Sequence, residues 1–183
     1  MTSYLDHPLV ASRYFFPHPC RFADPFFVEC GDARLGCFLR YNHPGAPGIV
    51  HFHGNGETVA DYLPEFAAEI DAMGFNLLLA EYRGYGMSTG EPLIGRMLDD
   101  VEQVVRAVGF PPGQLVFFGR SVGSLFAIHA VFRFPDAGGL IIESGIADLL
   151  ERLLLRVHPA ELGVTVAEIE DEIGRRMDHR RTL

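Results

Sequence analysis

The sequence predicts an α/β fold in which helices cover both faces of a mostly parallel sheet, and two observations lead to this fold class. Three short apolar runs, residues 48–53, 75–80 and 114–118, have the length of buried strands. After each run comes a segment with apolar residues at helical spacing, as expected where helices connect parallel strands. The length of the chain fits one domain with a sizeable core.

The segment before the first of these runs predicts two further features. Residues 1–24 contain aromatic residues and prolines without a period, so we expect an irregular arm that lies on the body of the domain. Residues 26–30 and 34–41 flank Gly31 and Asp32, and this pattern predicts a β-hairpin. The hairpin would open the sheet with antiparallel strands.

Two helices and one more strand are predicted between the runs and after them. The first helix is expected to begin at Asp61 as N-cap, and the second to span residues 94–108. Residues 138–143 predict a sixth strand. The core-facing positions of the first helix share helical spacing and are Tyr62, Phe66, Ile70 and Met73.

The segment Gly119-Arg120-Ser121-Val122-Gly123 has the pattern Gly-x-Ser-x-Gly and lies between an apolar run and a helical segment. A strand that turns into a helix at this pattern is the nucleophile elbow of an α/β-hydrolase, which predicts Ser121 as a catalytic nucleophile. Gly119 and Gly123 lack side chains, so the strand and the helix can approach closely. We expect the N–H group of Val122 to stabilise an oxyanion.

A second motif, His53-Gly54-Asn55-Gly56-Glu57, directly follows the first apolar run. In α/β-hydrolases the loop at this place supplies the second N–H group of the oxyanion hole, and we expect that group to belong to Asn55. Gly54 allows the backbone to come close to a substrate. His53 is expected to hold the loop by hydrogen bonds.

A third motif, Glu81-Tyr82-Arg83-Gly84-Tyr85-Gly86 followed by Met-Ser, comes after the second apolar run. Together the three motifs resemble the α/β-hydrolases of the Bem46 and ABHD13/ABHD17-like type, over about residues 25–150. The resemblance implies a serine hydrolase that acts on a small-molecule or acyl substrate with an ester, thioester or amide bond. Glu81 stands where an Asp is commoner in that group.

The resemblance also implies parts that do not appear in the sequence. In such hydrolases an acid and then a histidine of the catalytic triad follow the nucleophile, each after a later strand. We therefore expect residues 1–183 to form a single incomplete domain that lacks the last strands and the closing helix. Residues 146–183 are expected to be a cap-like helical segment. Two functions stay open: a serine hydrolase, or a catalytically inactive fragment or binding module of the same fold.

Other polar residues receive structural interpretations. His51 and His53 are two residues apart on a strand, so both side chains would point to the same face and could bind a metal. No further ligands accompany them, so neither a metal nor another cofactor is expected. His129 is expected to be a core histidine on the helix after Ser121. Asp148 is expected to cap a helix.

Charge and cysteine content indicate the surroundings of the protein. The net charge is −9 and no dense Lys/Arg run occurs, so no nucleic-acid partner is expected. Three cysteines without Cys-x-x-Cys spacing fit a reducing compartment. Neither a membrane span nor a signal peptide is evident, so we expect a cytoplasmic protein.

The strand of residues 139–142 is apolar and would be the last strand of the sheet. Its open edge has no charge or proline to prevent pairing with another chain. We expect either a homodimer through this edge or a cover provided by residues 146–183 or the N-terminal arm.

Overall fold

The computed structural model describes residues 3–177, and a mixed six-stranded sheet forms its centre. The strand order is β1-β2-β4-β3-β5-β6. Strand β2 pairs antiparallel with both β1 and β4. The remaining pairs, β4 with β3, β3 with β5 and β5 with β6, are parallel. The strands are β1 (Phe26–Cys30), β2 (Ala33–Arg40), β3 (Gly48–Phe52), β4 (Asn76–Ala80), β5 (Leu115–Arg120) and β6 (Gly139–Glu143).

Helices lie on both faces of the sheet. A large apolar core joins one face to α1, α3 and α4 and contains Val50 and Phe117, while a smaller core on the other face contains Ile49, Leu77 and Ile70 of α2. This arrangement confirms the predicted fold class. The helices are α1 (Pro8–Tyr14), α2 (Phe66–Ala72), α3 (Ile94–Ala107), α4 (Gly123–Arg133), α5 (Leu149–Leu154) and α6 (Val166–Arg176), with 3₁₀ turns at Val59–Tyr62, Pro112–Gln114 and Pro159–Leu162.

The prediction of an irregular N-terminal arm is wrong, because the arm contains helix α1. The side chain of His7 accepts a hydrogen bond from Leu9 N, and Pro8 occupies the first helical position. Val10 and Tyr14 are buried, so this one short helix packs on the domain. Seven residues are too few for the helical period to stand out in the sequence.

The predicted start of the next helix at Asp61 is also wrong. Thr58 is the N-cap of a 3₁₀ turn, and Asp61 is the acidic residue of its capping box. Helix α2 begins only at Phe66. Ile70 is buried as predicted, whereas Met73 is 61% exposed because α2 ends before it.

Strand β6 pairs with β5 alone among the described residues, and its other edge is open. Ile141 and Ile142 are 44% and 41% exposed. The expected cover by the N-terminal arm or by residues 146–183 is therefore wrong for residues 3–177; the rest of that segment lies outside the described residues. A homodimer through this edge stays a prediction.

The segment after β6 is helical, with α5 and α6 separated by a 3₁₀ turn. Asp148 accepts a hydrogen bond from Glu151 N at 3.0 Å, which confirms it as the cap of α5. None of the helices in the described part of the chain is long and apolar enough to span a membrane.

Candidate active site

Ser121 occupies a strained turn between β5 and α4. Its φ of +52° lies in the left-handed region, which is rare for residues other than glycine and is typical of functional sites. The turn is fixed by hydrogen bonds: Ser121 N donates to Glu143 O at 2.9 Å, and Ser124 Oγ donates to Ser121 O at 2.6 Å. Ser124 Oγ also accepts from Ile146 N, so the turn is tied to the chain after β6.

The two glycines of the elbow are needed for close packing. A Cβ atom on Gly119 would lie 2.6 Å from Gly123 O and from Ser124 Cα. A Cβ atom on Gly123 would overlap Phe52 O at the end of β3. Helix α4 therefore packs so closely against β5 and β3 that no side chain fits at either glycine.

The side chain of Asn55 is fixed by the N-terminal arm and by the loop after β4. Its amide nitrogen donates to Tyr14 O at 2.5 Å, and its oxygen accepts from Phe16 N and from Tyr85 Oη at 3.0 and 2.7 Å. Within residues 3–177 the backbone N–H groups of Asn55 and Val122 donate to no protein acceptor. Two backbone donors are thus available for a ligand.

His53 and Glu81 form a buried pair under the loop that carries Asn55. His53 Nε2 lies 2.6 Å from Glu81 Oε1, and His53 Nδ1 lies 2.8 Å from Gly54 O. Glu81 Oε2 accepts from Val59 N at 3.1 Å. Glu81 therefore connects both ends of the loop, and His53 holds it by hydrogen bonds as expected. In the sequence, Glu81 stands out only as a departure from the resembling group.

A charged cluster that our sequence analysis missed joins this loop to the elbow. Arg120 forms ion pairs with Glu57 and with Glu143 at the end of β6. Glu57 also accepts from Gly54 N at 2.7 Å and from Tyr62 Oη at 2.6 Å. The only signal in the sequence was the position of Glu57 and Arg120 within the two motifs.

Gly54 provides the space for this cluster. A Cβ atom on it would lie 2.8 Å from Glu57 Oε2 and 3.3 Å from a guanidinium nitrogen of Arg120. The expected supporting role of Gly54 thus has a steric reason, although the partners are protein side chains.

Ser121, Asn55 and Val122 line one open cavity. The structure thus brings the three predicted residues of the site to one place; whether both amides face the serine hydroxyl stays a prediction. The rest of the cavity wall comes from α1, the arm and the segment after β6: Tyr14, Phe16, Ile146, Arg152, Leu155 and Arg156.

None of the histidines within residues 3–177 lines this cavity. His158 caps the 3₁₀ turn that begins at Pro159, and His129 lies half-buried on α4. His51 is buried among aromatic rings, and this burial lowers its pKa to about 3. His179 lies outside the described residues. The described part of the chain contains no cluster of three side chains that could hold a metal.

Solved structures with a similar fold define the class. An esterase of Pyrococcus furiosus is 16% identical, with a TM-score of 0.60 over 85% of this chain and 67% of its own. A CIB-like hydrolase of Thermoplasma acidophilum is 18% identical, with a TM-score of 0.59 over 70% of this chain and 67% of its own. The fold is that of the α/β-hydrolases.

The chain belongs to the hydrolase family described as Serine aminopeptidase, S33, which matches residues 46–168. Family and fold together support a hydrolase. Among curated proteins, YfhR of Escherichia coli K12 is 30% identical over 105 residues, which are 54% of this chain and 37% of YfhR.

Two relatives bear out the resemblance stated above. Protein bem46 of Schizosaccharomyces pombe is 26% identical over 58% of this chain and 38% of its own length. The mouse α/β-hydrolase domain-containing protein 17C is 24% identical over 60% of this chain and 36% of its own. The matched part of this chain thus spans little more than a third of these relatives.

Proposed function

We propose that the protein is a serine hydrolase that cleaves an ester, thioester or amide bond, with Ser121 as the nucleophile. The observation that carries this proposal is the left-handed turn at Ser121, flanked by two obligatory glycines and placed on a cavity wall beside two unengaged amides. The family described as serine aminopeptidase and the esterase of similar fold support the same reaction class.

The reaction would follow the usual course of acyl transfer. Ser121 Oγ forms a bond to the carbonyl carbon while its proton passes to a base, and the carbonyl oxygen becomes an oxyanion. The N–H groups of Val122 and Asn55 would donate to that oxygen. The alcohol, thiol or amine then leaves with a proton, and water releases the acyl group from Ser121.

The base is the part of this proposal that the described residues do not supply. Because no histidine within residues 3–177 lines the cavity, we infer that these residues alone form a poor catalyst. In subtilisin, removal of the triad serine or histidine costs about 10⁶ in kcat, and the remaining rate comes from the oxyanion hole and from binding. A binding module of the same fold is the alternative function.

Chemical rescue can separate the two functions. Hydrolysis of p-nitrophenyl acetate is measured for the chain and for Ser121→Ala while imidazole is added as an external base. We expect a slow rate without imidazole, and an imidazole-dependent increase in the wild type beyond the uncatalysed increase seen with Ser121→Ala. Equal rates for both chains at every imidazole concentration would favour the binding module.

A second probe tests the serine itself. Intact-mass analysis after exposure to a fluorophosphonate, again with imidazole, should show one adduct in the wild type and in Ser88→Ala, a serine in the loop after β4. Ser121→Ala should show none. An adduct that persists in Ser121→Ala would place the reactive group elsewhere.

We also propose, from the sequence, that the protein is cytoplasmic.

We further propose that two copies pair through the open edge of β6. The exposed Ile141 and Ile142 support this pairing, since an apolar edge strand is a template for pairing with another chain. Light scattering should show a dimer that dissociates in Ile141→Lys. A wild-type monomer at high concentration would contradict the dimer.

A further inference from the structure

We propose that Arg152 and Arg156 recognise a negatively charged group, a carboxylate or a phosphate, on the substrate that Ser121 attacks. This inference rests on the proposed function, since it names the substrate class for that site. Both arginines line the cavity that contains Ser121, Asn55 and Val122, whereas no described Asp or Glu lines it. The cavity wall is therefore positive although the chain carries a net charge of −9.

Within residues 3–177 neither guanidinium is held by a carboxylate or by a hydrogen-bond acceptor. Among the described residues, Arg152 and Arg156 form no ion pair and donate no side-chain hydrogen bond, and both are exposed. Their neighbour Arg13 differs: it donates to the backbone oxygen of Arg156 and forms two hydrogen bonds with Glu161, at 2.7 and 2.8 Å. The N–H donors of the two cavity arginines therefore have no acceptor among residues 3–177 and are available to a ligand.

Both charges act at one place in the cavity. Arg152 lies on α5, and Arg156 lies in the turn two residues beyond the last residue of that helix, Leu154. Burial raises the pKa of Tyr14, which also lines the cavity, and the positive charges of both arginines oppose that increase. An anion at this place would accept charge-assisted hydrogen bonds from the two guanidiniums.

Apolar side chains beside the arginines indicate the rest of the ligand. The guanidinium of Arg156 lies 5.8 Å from the centre of the Phe16 ring, within the range of a cation–π contact. Phe16 is 51% and Leu155 is 69% exposed, and both line the cavity. A short hydrocarbon chain between the scissile carbonyl and the anionic group fits this wall.

The location of the arginines has a competing explanation. Cations near the C-terminus of a helix interact favourably with its dipole, whatever the ligand. Such a role would appear as a change in the stability of the chain. It would not make binding depend on the charge of a ligand.

The test compares a charged probe with its neutral counterpart. Levulinate carries an unreactive ketone in place of the ester carbonyl and a carboxylate two methylene groups away, levulinamide is its neutral analogue, and acetonylphosphonate supplies a phosphonate. Dissociation constants are measured on the full chain by NMR titration at low salt. Whichever of levulinate and acetonylphosphonate binds more tightly should have a dissociation constant about fivefold to tenfold lower than that of levulinamide.

The preference for the anion should disappear in the Arg152→Gln/Arg156→Gln double variant and persist in Arg175→Gln, an exposed arginine of α6. If the double variant does not fold, the salt dependence of the wild type decides, because exposed charges are screened: the preference should vanish near 0.5 M NaCl. Equal affinity for levulinate, acetonylphosphonate and levulinamide, or a preference that survives the double variant, would overturn the inference.

These readouts do not depend on turnover. Ser121→Ala should keep the preference for the anion, so an inert serine would contradict the proposed function and leave this result unaffected. Conversely, a reactive Ser121 without a preference for anions would contradict only the inference about the arginines. The stronger of the two anions identifies the charged group that the cavity prefers.

Discussion

The two walls of the Ser121 cavity are built in different ways. The wall formed by the loops after β3 and β5 is held by buried groups, among them His53, Glu81 and the packed backbone at Gly123. The wall formed by residues 146–156 presents exposed side chains such as Leu155 and Arg156. We infer that the buried wall holds the reacting groups in place. Substitutions in the exposed wall would change the choice of substrate at little cost in stability.

A glycine of the elbow wall and a glycine of α6, away from the cavity, give the largest expected contrast. In Gly123→Ala the new methyl group would overlap Phe52 O, and the free energy of unfolding should fall by about 3 kcal/mol or more, as for overpacked cores. Gly174→Ala in α6 meets no atom within 4 Å and should stabilise the chain by about 0.5–1 kcal/mol through helix propensity.

Urea denaturation followed by circular dichroism measures both glycine variants. A loss of less than about 1 kcal/mol for Gly123→Ala would mean that α4 can move away from β3, and that the elbow wall is not fixed by packing.

The pH dependence of stability tests the buried side of the sheet at His51. Burial lowers the pKa of His51 from 6.5 to about 3, so below pH 6.5 the unfolded chain takes up a proton that the folded chain cannot. Relative to low pH, the neutral buried His51 therefore contributes to the free energy of unfolding, and this contribution is complete above pH 6.5. It is lost as the pH falls towards 3, by up to about 1.4 kcal/mol per pH unit.

The variant His51→Phe should therefore flatten the decrease in stability between pH 6 and 4. Phe66→Leu is a matched control, because Phe66 packs on His51 and has no titratable group. The control should shift the whole stability curve without changing its slope. An unchanged slope in His51→Phe would contradict a neutral buried His51.

A third contrast compares a buried acidic residue of the elbow wall with an exposed one away from the cavity. Glu81→Gln replaces the buried carboxyl group that holds His53 and Val59, and we expect a loss of about 1–3 kcal/mol in the free energy of unfolding. Glu161→Gln breaks the exposed ion pair with Arg13 and should have little effect. Equal losses in urea denaturation would contradict the claim that buried groups such as Glu81 hold the elbow wall.

The sequence predicted the parts of the site that depend on local spacing. The strand before each motif and the glycines beside Ser121 follow from adjacent residues, and they place the loops at the carboxyl edge of the sheet. The cluster of Glu57, Arg120 and Glu143 could not be predicted, since its members are up to 86 residues apart and charge has no period there. Helix α1 was too short to give a helical pattern.

The amide protons of Asn55 and Val122 report whether these two groups form the oxyanion hole beside Ser121. The chain is phosphonylated at Ser121 with a fluorophosphonate, with imidazole added if needed, and the amide resonances are compared before and after by NMR. We expect large downfield shifts for the N–H protons of both Asn55 and Val122, because both would donate to the phosphoryl oxygen. Complete modification of Ser121 with the Asn55 amide unchanged would contradict it.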